Sequence, residues 1–404
     1  VTGLADCAAL LACVGILQCV LGLVAVWWFA WAKRRGGASE PRVRPPVTIL
    51  RPLCGNEPFL AEALASCFAQ DYPDFQIVFG IQDPADPALA VLERVRQDFP
   101  DRDIHVVVDP TMHGPNRKVS NLINMLPFAR HEVLVISDSD LHLPPFYLDS
   151  LVAELEKPAA GLVTTLYVGV PPHRKSWAAV LGATQINHQF LPGVLLSRAM
   201  GRQDCLGSTA MFRRDTLERT GGFPALVQLL AEDNVLGQRI RDLGLTIELA
   251  GVVPSATVPE PSFGPLWQHE IRWTRTIRAL APLSLCASTM QYPLFWSAGA
   301  FALSGGASWA GALFIASWLV RAICAKAIDR ALHARLARRA PPTPFRLFPV
   351  RDLLSVIEIA ASFWVDQVTW RGHRMRATGV VTHPVGALGA LGGARDSEQL
   401  APEL

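Results

Sequence analysis

Two aspartates, Asp138 and Asp140, flank a single serine just after the apolar run 133–136. Carboxylates spaced this way beyond a buried strand can face one divalent cation and the ligand it holds, because Mg²⁺ is ordinarily held by one or two carboxylates plus substrate phosphates. The triplet is common by chance, so its place after the strand carries the reading. Lys118 stands in a Gly/Pro loop, His113-Gly114-Pro115-Asn116-Arg117-Lys118, that runs into a helical pattern. A lysine there, with the free N–H groups of a helix start, can neutralise phosphate; taken alone, it reads better as a solvated loop residue. Glu232 and Asp233 open a helix after the turn Gly221-Gly222-Phe223-Pro224. Ordinary capping explains them, and so does a carboxylate aimed at a site, where it accepts the proton of an attacking hydroxyl. His269, Arg272 and Trp273 share the helical segment 265–280, with His269 and Arg272 three residues apart on one face. The planar fork of Arg272 can grip pyrophosphate and Trp273 can wall a pocket, while an amphipathic helix lying on lipid headgroups gives the same pattern.

These groups need a common edge. Apolar, β-rich runs at 47–50, 75–81, 104–108 and 133–136 alternate with helical spacing at 57–69 and 87–99. That order predicts βαβ units and a mostly parallel sheet with right-handed crossovers, an α/β domain over residues 46–261. The four strands end on Arg51, Asp83, Asp109 and Asp138. In open α/β sheets ligands bind outside that carboxyl edge.

The rest of the chain is apolar. Half of the 404 residues are hydrophobic and 18% are charged, fewer than the usual quarter in soluble domains. A net charge of +2 gives no argument for nucleic acid. The eight cysteines are scattered without a C-x-x-C pair, so no zinc site is expected. Residues 7–32 carry no charge, long enough for a membrane anchor and too long for a signal peptide. Lys33, Arg34 and Arg35 follow it and place the next residues in the cytoplasm of the cell. An interfacial helix is expected over 262–280 and a transmembrane hairpin over 282–326, turning at Ser304-Gly305-Gly306 and leaving through Arg321, Lys326, Arg330, Arg335, Arg338 and Arg339. The segment 350–370 contains Asp352, Glu358 and Asp366, so it either lies at the interface or faces other helices. The Gly/Ala-rich tail, 386–404, is expected to be disordered.

In order, Asp83, Asp138-Ser139-Asp140, Asp233 and Arg272-Trp273 resemble the motifs of inverting glycosyltransferases with the Rossmann-like A-type fold. More narrowly the chain resembles the ceramide glucosyltransferase family, whose bacterial branch includes hopanoid glycosyltransferases that make N-acetylglucosaminyl bacteriohopanetetrol. Residues 116–122, 269–278 and Val368-Thr369-Trp370-Arg371-Gly372 add to the likeness. The resemblance implies a UDP-sugar donor, a lipid alcohol acceptor (a hopanoid favoured over ceramide), Mg²⁺ or Mn²⁺, and a multi-pass protein of the bacterial inner membrane. It implies that Asp83 holds uridine and that Asp138 and Asp140 hold diphosphate and metal, with Lys118 near the donor. Asp233 would be the general base, and His269, Arg272 and Trp273 would line the leaving diphosphate and the acceptor entrance. Position 269 is usually Gln or Arg in that family; here it is His, with Gln268 one residue earlier. A processive polysaccharide synthase should show more spans, a polyprenyl-phosphate sugar synthase has no need of the Arg-Trp helix, and a transporter predicts polar groups inside its spans.

Overall fold

The computed structural model describes residues 2–35, 41–172, 176–333, 336, 342, 344–365, 367–370 and 373–376. After a first helix, α1 (Thr2–Arg35), strands β1 (Val47–Pro52), β2 (Phe75–Ile81), β3 (Asp103–Val108) and β4 (Val133–Ser137) alternate with α2 (Leu60–Phe68), α3 (Pro87–Arg96) and α4 (Arg117–Met125). Those four strands are parallel, in the order β3-β2-β1-β4. β1, β2 and β4 are covered on both faces and read as nearly continuous apolar runs, while β3, at the sheet edge, is partly exposed. Ile49, Ile77, Val133 and Val135 point into one core with α2, α3 and α5 (Tyr147–Leu155), and Leu50, Val78, Leu134 and Ile136 point into another with α4.

The chain then makes β5 (Leu141–His142), β6 (Ala160–Thr164) and β7 (Val168–Val170). A bent helix follows, α6 (Trp177–Gln185), a π-helical turn (Ile186–Phe190) and α7 (Leu191–Ala199). Beyond it come β8 (Thr209–Arg213), α8 (Arg214–Arg219), α9 (Glu232–Asp242), β9 (Thr246–Leu249), β10 (Ser255–Thr257) and α10 (Phe263–Leu280). β8 joins β4 antiparallel and extends the sheet to seven strands through β6 and β9. A smaller sheet, β5-β10-β7, lies beyond the carboxyl end of β4. Strand direction therefore changes at β4, and Asp138 stands at that change.

α1 and α13 (Ser308–Leu332) are long and apolar enough to cross a membrane. The most apolar stretch of α1 has a mean hydropathy of 2.6 and is 22% buried, too little cover for the core helix of a soluble domain. Leu10, Leu17, Val24, Trp27 and Trp28 all point outward from it. Its end is nonetheless built into the domain. Val26, Phe29 and Ala30 share a core with Leu166, Leu195, Leu249 and Ile328, and Lys33 pairs with Glu154 of α5.

The apolar block from residue 282 is less regular than a hairpin of two spans. It holds α11 (Pro282–Ala287), a tight turn (Ser288–Gln291) and α12 (Pro293–Leu303) before α13. The missing N–H of Pro293 at the start of α12 separates the pieces. α12 is then about 17 Å long, against about 30 Å of hydrocarbon. The helix expected over 350–370 is α14 (Phe348–Ser362), and Gln367–Trp370 is instead a strand, β11, paired with β12 (His373–Arg376). Asp366, Arg335, Arg338, Arg339 and the tail 386–404 lie outside the described residues.

The charges of α14 turn inward. Arg351, wholly buried, donates to both oxygens of Glu270 on α10 at 2.8 Å and to Glu358 at 2.9 Å. Asp352 accepts from Arg321 of α13 at 2.8 Å and from the Leu294 N–H of α12 at 3.2 Å. Removing one member of a buried ion cluster strands the others, at about 3–5 kcal/mol. Arg351→Met should therefore lower the thermal unfolding midpoint in detergent sharply, and the triple variant with Glu270→Gln and Glu358→Gln should regain most of the loss. Equal midpoints for the single and triple variants would show that the charges are not coupled.

Candidate active site

The loop after β4 is pinned through its backbone. Asp138 N–H donates to Ser208 O at 3.1 Å, and Thr257 N–H of β10 donates to Asp140 O at 3.1 Å. Beneath it lies Arg51, fully buried, whose Nη2 donates to Ser139 O at 3.1 Å and Leu141 O at 2.6 Å. Arg51 is thus an internal strut, where its place at a strand end suggests a rim residue. With the backbone tied down, the two carboxylates are held close. Burial first, then Glu57 and Asp138, push the Asp140 carboxyl up to about 8.

Asn116 caps α4 by accepting from Val119 N–H, and its amide donates to Leu229 O at 2.7 Å and Glu232 Oε2 at 3.2 Å. One side chain so fastens the start of α4 to the start of α9, and both helix N-termini face the acids, the favourable dipole direction. Lys118 Nζ lies 2.7 Å from Asp138 Oδ1 and 3.5 Å from Glu232 Oε1. Burial works against its charge, but Asp138 and Glu232 outweigh burial and raise its pKa. Asp233, in the first turn of α9, is pushed up to about 7 by burial and then by Glu232, with Lys118 pulling the other way. Gly207 has φ +80, and a Cβ on it would lie 2.5 Å from Asp233 Oδ2, so both its backbone and its lack of a side chain make room for that carboxylate.

α10 contributes a cation, Arg272. Arg272 is partly buried, and its charge acts on the Tyr167 hydroxyl together with those of Asp140, Asp138 and Asp233. Burial and these three acids raise the Tyr167 pKa, with Arg272 opposing them. Trp273 packs beside Ala179, Ala183, Ile186 and Val258. His269 Nδ1 is paired with the buried Glu260, and its ring meets Trp273 edge-on at 4.3 Å.

Lys118, Asp138, Asp140 and Asp233 therefore form one cluster, and the charge of Arg272 is felt at Tyr167 together with those of the acids. His269 and Trp273 form a second group around Glu260. Asp83 is exposed at the end of β2, where its Oδ1 accepts from Ala85 N–H at 2.9 Å. It stands two strands from β4, roughly 10 Å along the same edge. Sequence reasoning missed Glu57, Tyr167, Gly207 and Glu260, and treated Glu232 as a cap. The one signal on offer was Gly207, a glycine just before an apolar strand.

The donor set fits a divalent cation. Among the described residues no group of three or more His, Cys, Asp or Glu side chains could hold a metal alone. Asp138 and Asp140 instead suit a hard cation whose other ligands are water and substrate phosphates. The crowding that lifts Asp140 is what such a cation would relieve.

Comparison with known proteins bears on the whole arrangement. Ceramide glucosyltransferase of Komagataella phaffii is 34% identical over 142 residues, 33% of this chain and 28% of that protein. Ceramide glucosyltransferase 3 of Caenorhabditis elegans is 22% identical over 291 residues, 71% of this chain and 63% of that protein. The chain thus spans less than two thirds of either relative. Among solved structures it is similar to the mannosyltransferase PcManGT from Pyrobaculum calidifontis in complex with GDP-Man and Mn²⁺, with a TM-score of 0.48, 20% identity and coverage of 88% and 99% of the two chains. The model of one family, described as glycosyl transferase family 21, matches residues 14–379, from within α1 through the sheet and α10 to beyond β12. The chain belongs to glycosyl transferase family 21.

Proposed function

We propose that the protein transfers a sugar from a UDP-sugar to the hydroxyl of a membrane lipid, with inversion at the anomeric carbon. The observation that carries this reading is the cluster at the end of β4, where Asp233 stands beside Lys118 and Asp138 while Arg272 approaches from the helix leading toward the apolar segments. Asp83 takes the nucleoside, further along the same edge. Lys118 and Arg272 hold the diphosphate and stabilise the charge that grows on it as the glycosidic bond breaks, usually the largest catalytic contribution. Asp138 and Asp140 would hold Mg²⁺ or Mn²⁺, which would supply neutralising charge there. Asp233 takes the proton of the lipid hydroxyl as that oxygen bonds to the anomeric carbon from the opposite face. Trp273 and His269 border the acceptor entrance.

The protein is read as multi-pass in a bacterial inner membrane, with the sheet on the cytoplasmic face. The basic residues after α1 and along the later part of α13 support that orientation. Ceramide is the acceptor in the names of the relatives; a hopanoid polyol, receiving N-acetylglucosamine, is the acceptor that segment 269–278 resembles. Purified enzyme given both acceptors with UDP-glucose and UDP-N-acetylglucosamine should form one inverted glycolipid. No product with either acceptor would refute the reading.

A base whose pKa is about 7 is protonated and idle below that pH and free above it. Transfer under saturating substrates should therefore rise with pH through about 7 and level off. Asp233→Asn should lose ~10²–10⁴-fold in turnover and abolish this limb while UDP-sugar binding persists. A flat profile from pH 5 to 9, or near-normal transfer by the variant, would exclude Asp233 as base.

The metal gives a separate test. Asp140 and Asp233 keep their protons to about 8 and 7 in the folded protein, against about 4 when unfolded. The folded state therefore binds more protons across that window and loses stability as pH rises through it. A cation that neutralises the cluster should raise the unfolding midpoint clearly at pH 8.5 and little at pH 5, with the effect lost in Asp138→Asn/Asp140→Asn. A shift independent of pH, or retained in that variant, would place the cation elsewhere.

A further inference from the structure

Between α1, the π-helical turn with α7, and α13 lies a small, partly open cavity of about 30 Å³. Gln18 and Gly22 line it from α1, His188 and Gly193 from the bent helix, Gln291 from the turn before α12, and Arg321 from α13. Gln18 is halfway along the helix that best fits a membrane span, so this is a polar chamber at bilayer depth. Such groups are costly there and mark function when they occur.

Most of that polarity is already engaged. Arg321 gives Nε and Nη2 to Asp352 and Nη1 to the His188 carbonyl. His188 is different. Its Nε2 meets Asp329 at 2.8 Å, while Nδ1, on a buried side chain, has no hydrogen-bond partner among the described residues. In the tautomer that donates Nε2–H to Asp329, Nδ1 carries a lone pair and can only accept. A ligand here must bring an O–H or N–H.

The far side of the same turn borders the chemistry. Phe190 packs on Tyr167 with ring centroids 5.4 Å apart, and the Asn187 amide holds both Gly169 N–H and Gly169 O. Tyr167 is the residue on which Asp138, Asp140, Asp233 and Arg272 all act. One turn of helix therefore separates the chamber from Tyr167, and two of its walls belong to the helices that can cross a membrane.

We propose that this chamber seats a second polar group of the acceptor lipid, an O–H or N–H next to the hydroxyl that reacts, bound to His188 Nδ1. The inference rests on the reading of the acceptor as a lipid alcohol. It makes His188 a specificity determinant: lipids with a second donor group are preferred over those with a single hydroxyl.

Three variants test it. His188→Phe keeps a ring against Phe348, which His188 meets edge-on at 6.0 Å, but removes the acceptor atom. His188→Gln keeps an acceptor. Gly193→Leu fills the chamber from another wall, where a Cβ would meet only Gln291 Oε1, at 4.0 Å. His188→Phe and Gly193→Leu should raise the KM for a ceramide or a hopanoid polyol roughly tenfold, the loss expected for one buried hydrogen bond. Turnover at saturating lipid and UDP-sugar binding should stay near wild type, and His188→Gln should recover most of the loss. The His188→Phe penalty should vanish for a long-chain alcohol with one hydroxyl and no amide. An unchanged KM in His188→Phe and Gly193→Leu, or an equal penalty with the one-hydroxyl alcohol, overturns the proposal and leaves the chamber to water. Crosslinking with a diazirine-bearing ceramide in nanodiscs decides independently of turnover. Label should fall on the peptides around His188 and Cys324 and be lost in Gly193→Leu; label that persists in the variant, or that misses these peptides, overturns it. Wild-type enzyme that glycosylates no lipid alcohol defeats the proposed function, and the crosslinking arm still judges the chamber.

Discussion

The ammonium of Lys118 sits among the carboxylates of Asp138 and Glu232, with Asp233 just beyond, and the surrounding architecture keeps that pattern of charge together. Burial, and then the repulsion of acids gathered this closely, is why Asp140 and Asp233 hold their protons so far up the pH scale. Three devices offset it. Lys118 neutralises from within, the N-termini of α4 and α9 point partial positive charge inward, and Arg51 supports the acidic loop from below. Under the proposed function, a diphosphate held with a cation would exchange one set of compensating charges for another.

Much of this is legible in the chain because the central strands are buried on both faces. The runs at 47–50, 75–81, 104–108 and 133–136 announce themselves by being apolar and β-rich, broken only by Thr48, Gln76 and His105, and the polar residues after each run mark the carboxyl edge of the sheet. Asp138 and Asp140 can be read for that reason. Tyr167 and Glu260 cannot: each sits in a short irregular stretch, and only the pairing of β7 with β10 and the return of α10 bring them to their partners. Arg51 misleads because a charged residue at a strand end normally meets water, whereas the Nη2 of this buried one is held by carbonyls of a loop nearly ninety residues away. The segment 350–370 misleads differently. Apolarity sets no period, and the helix stops at Ser362, short of the strand at Gln367.

The charges of α14 show why hydropathy alone leaves its position open. Arg351, Asp352 and Glu358 are expensive in lipid, yet each finds its partner inside the protein, and those partners belong to α10, α13 and α14 itself. Glu270 shares α10 with Arg272, so the helix that approaches the reacting groups is clamped from behind by the same buried arginine.

The far end of α1 has a comparable consequence. Lys33 grips Glu154, and Val26, Phe29 and Ala30 are part of a core that includes strand and helix residues of the domain. The helix is therefore a rigid shaft rather than a tether. Under the proposed function, a domain mounted on such a shaft would not tumble, and its working edge would stay at one height above the bilayer. Encounters with the lipid acceptor would then take place in two dimensions, and the quantity governing them would be the mole fraction of that lipid in the leaflet rather than its amount in solution.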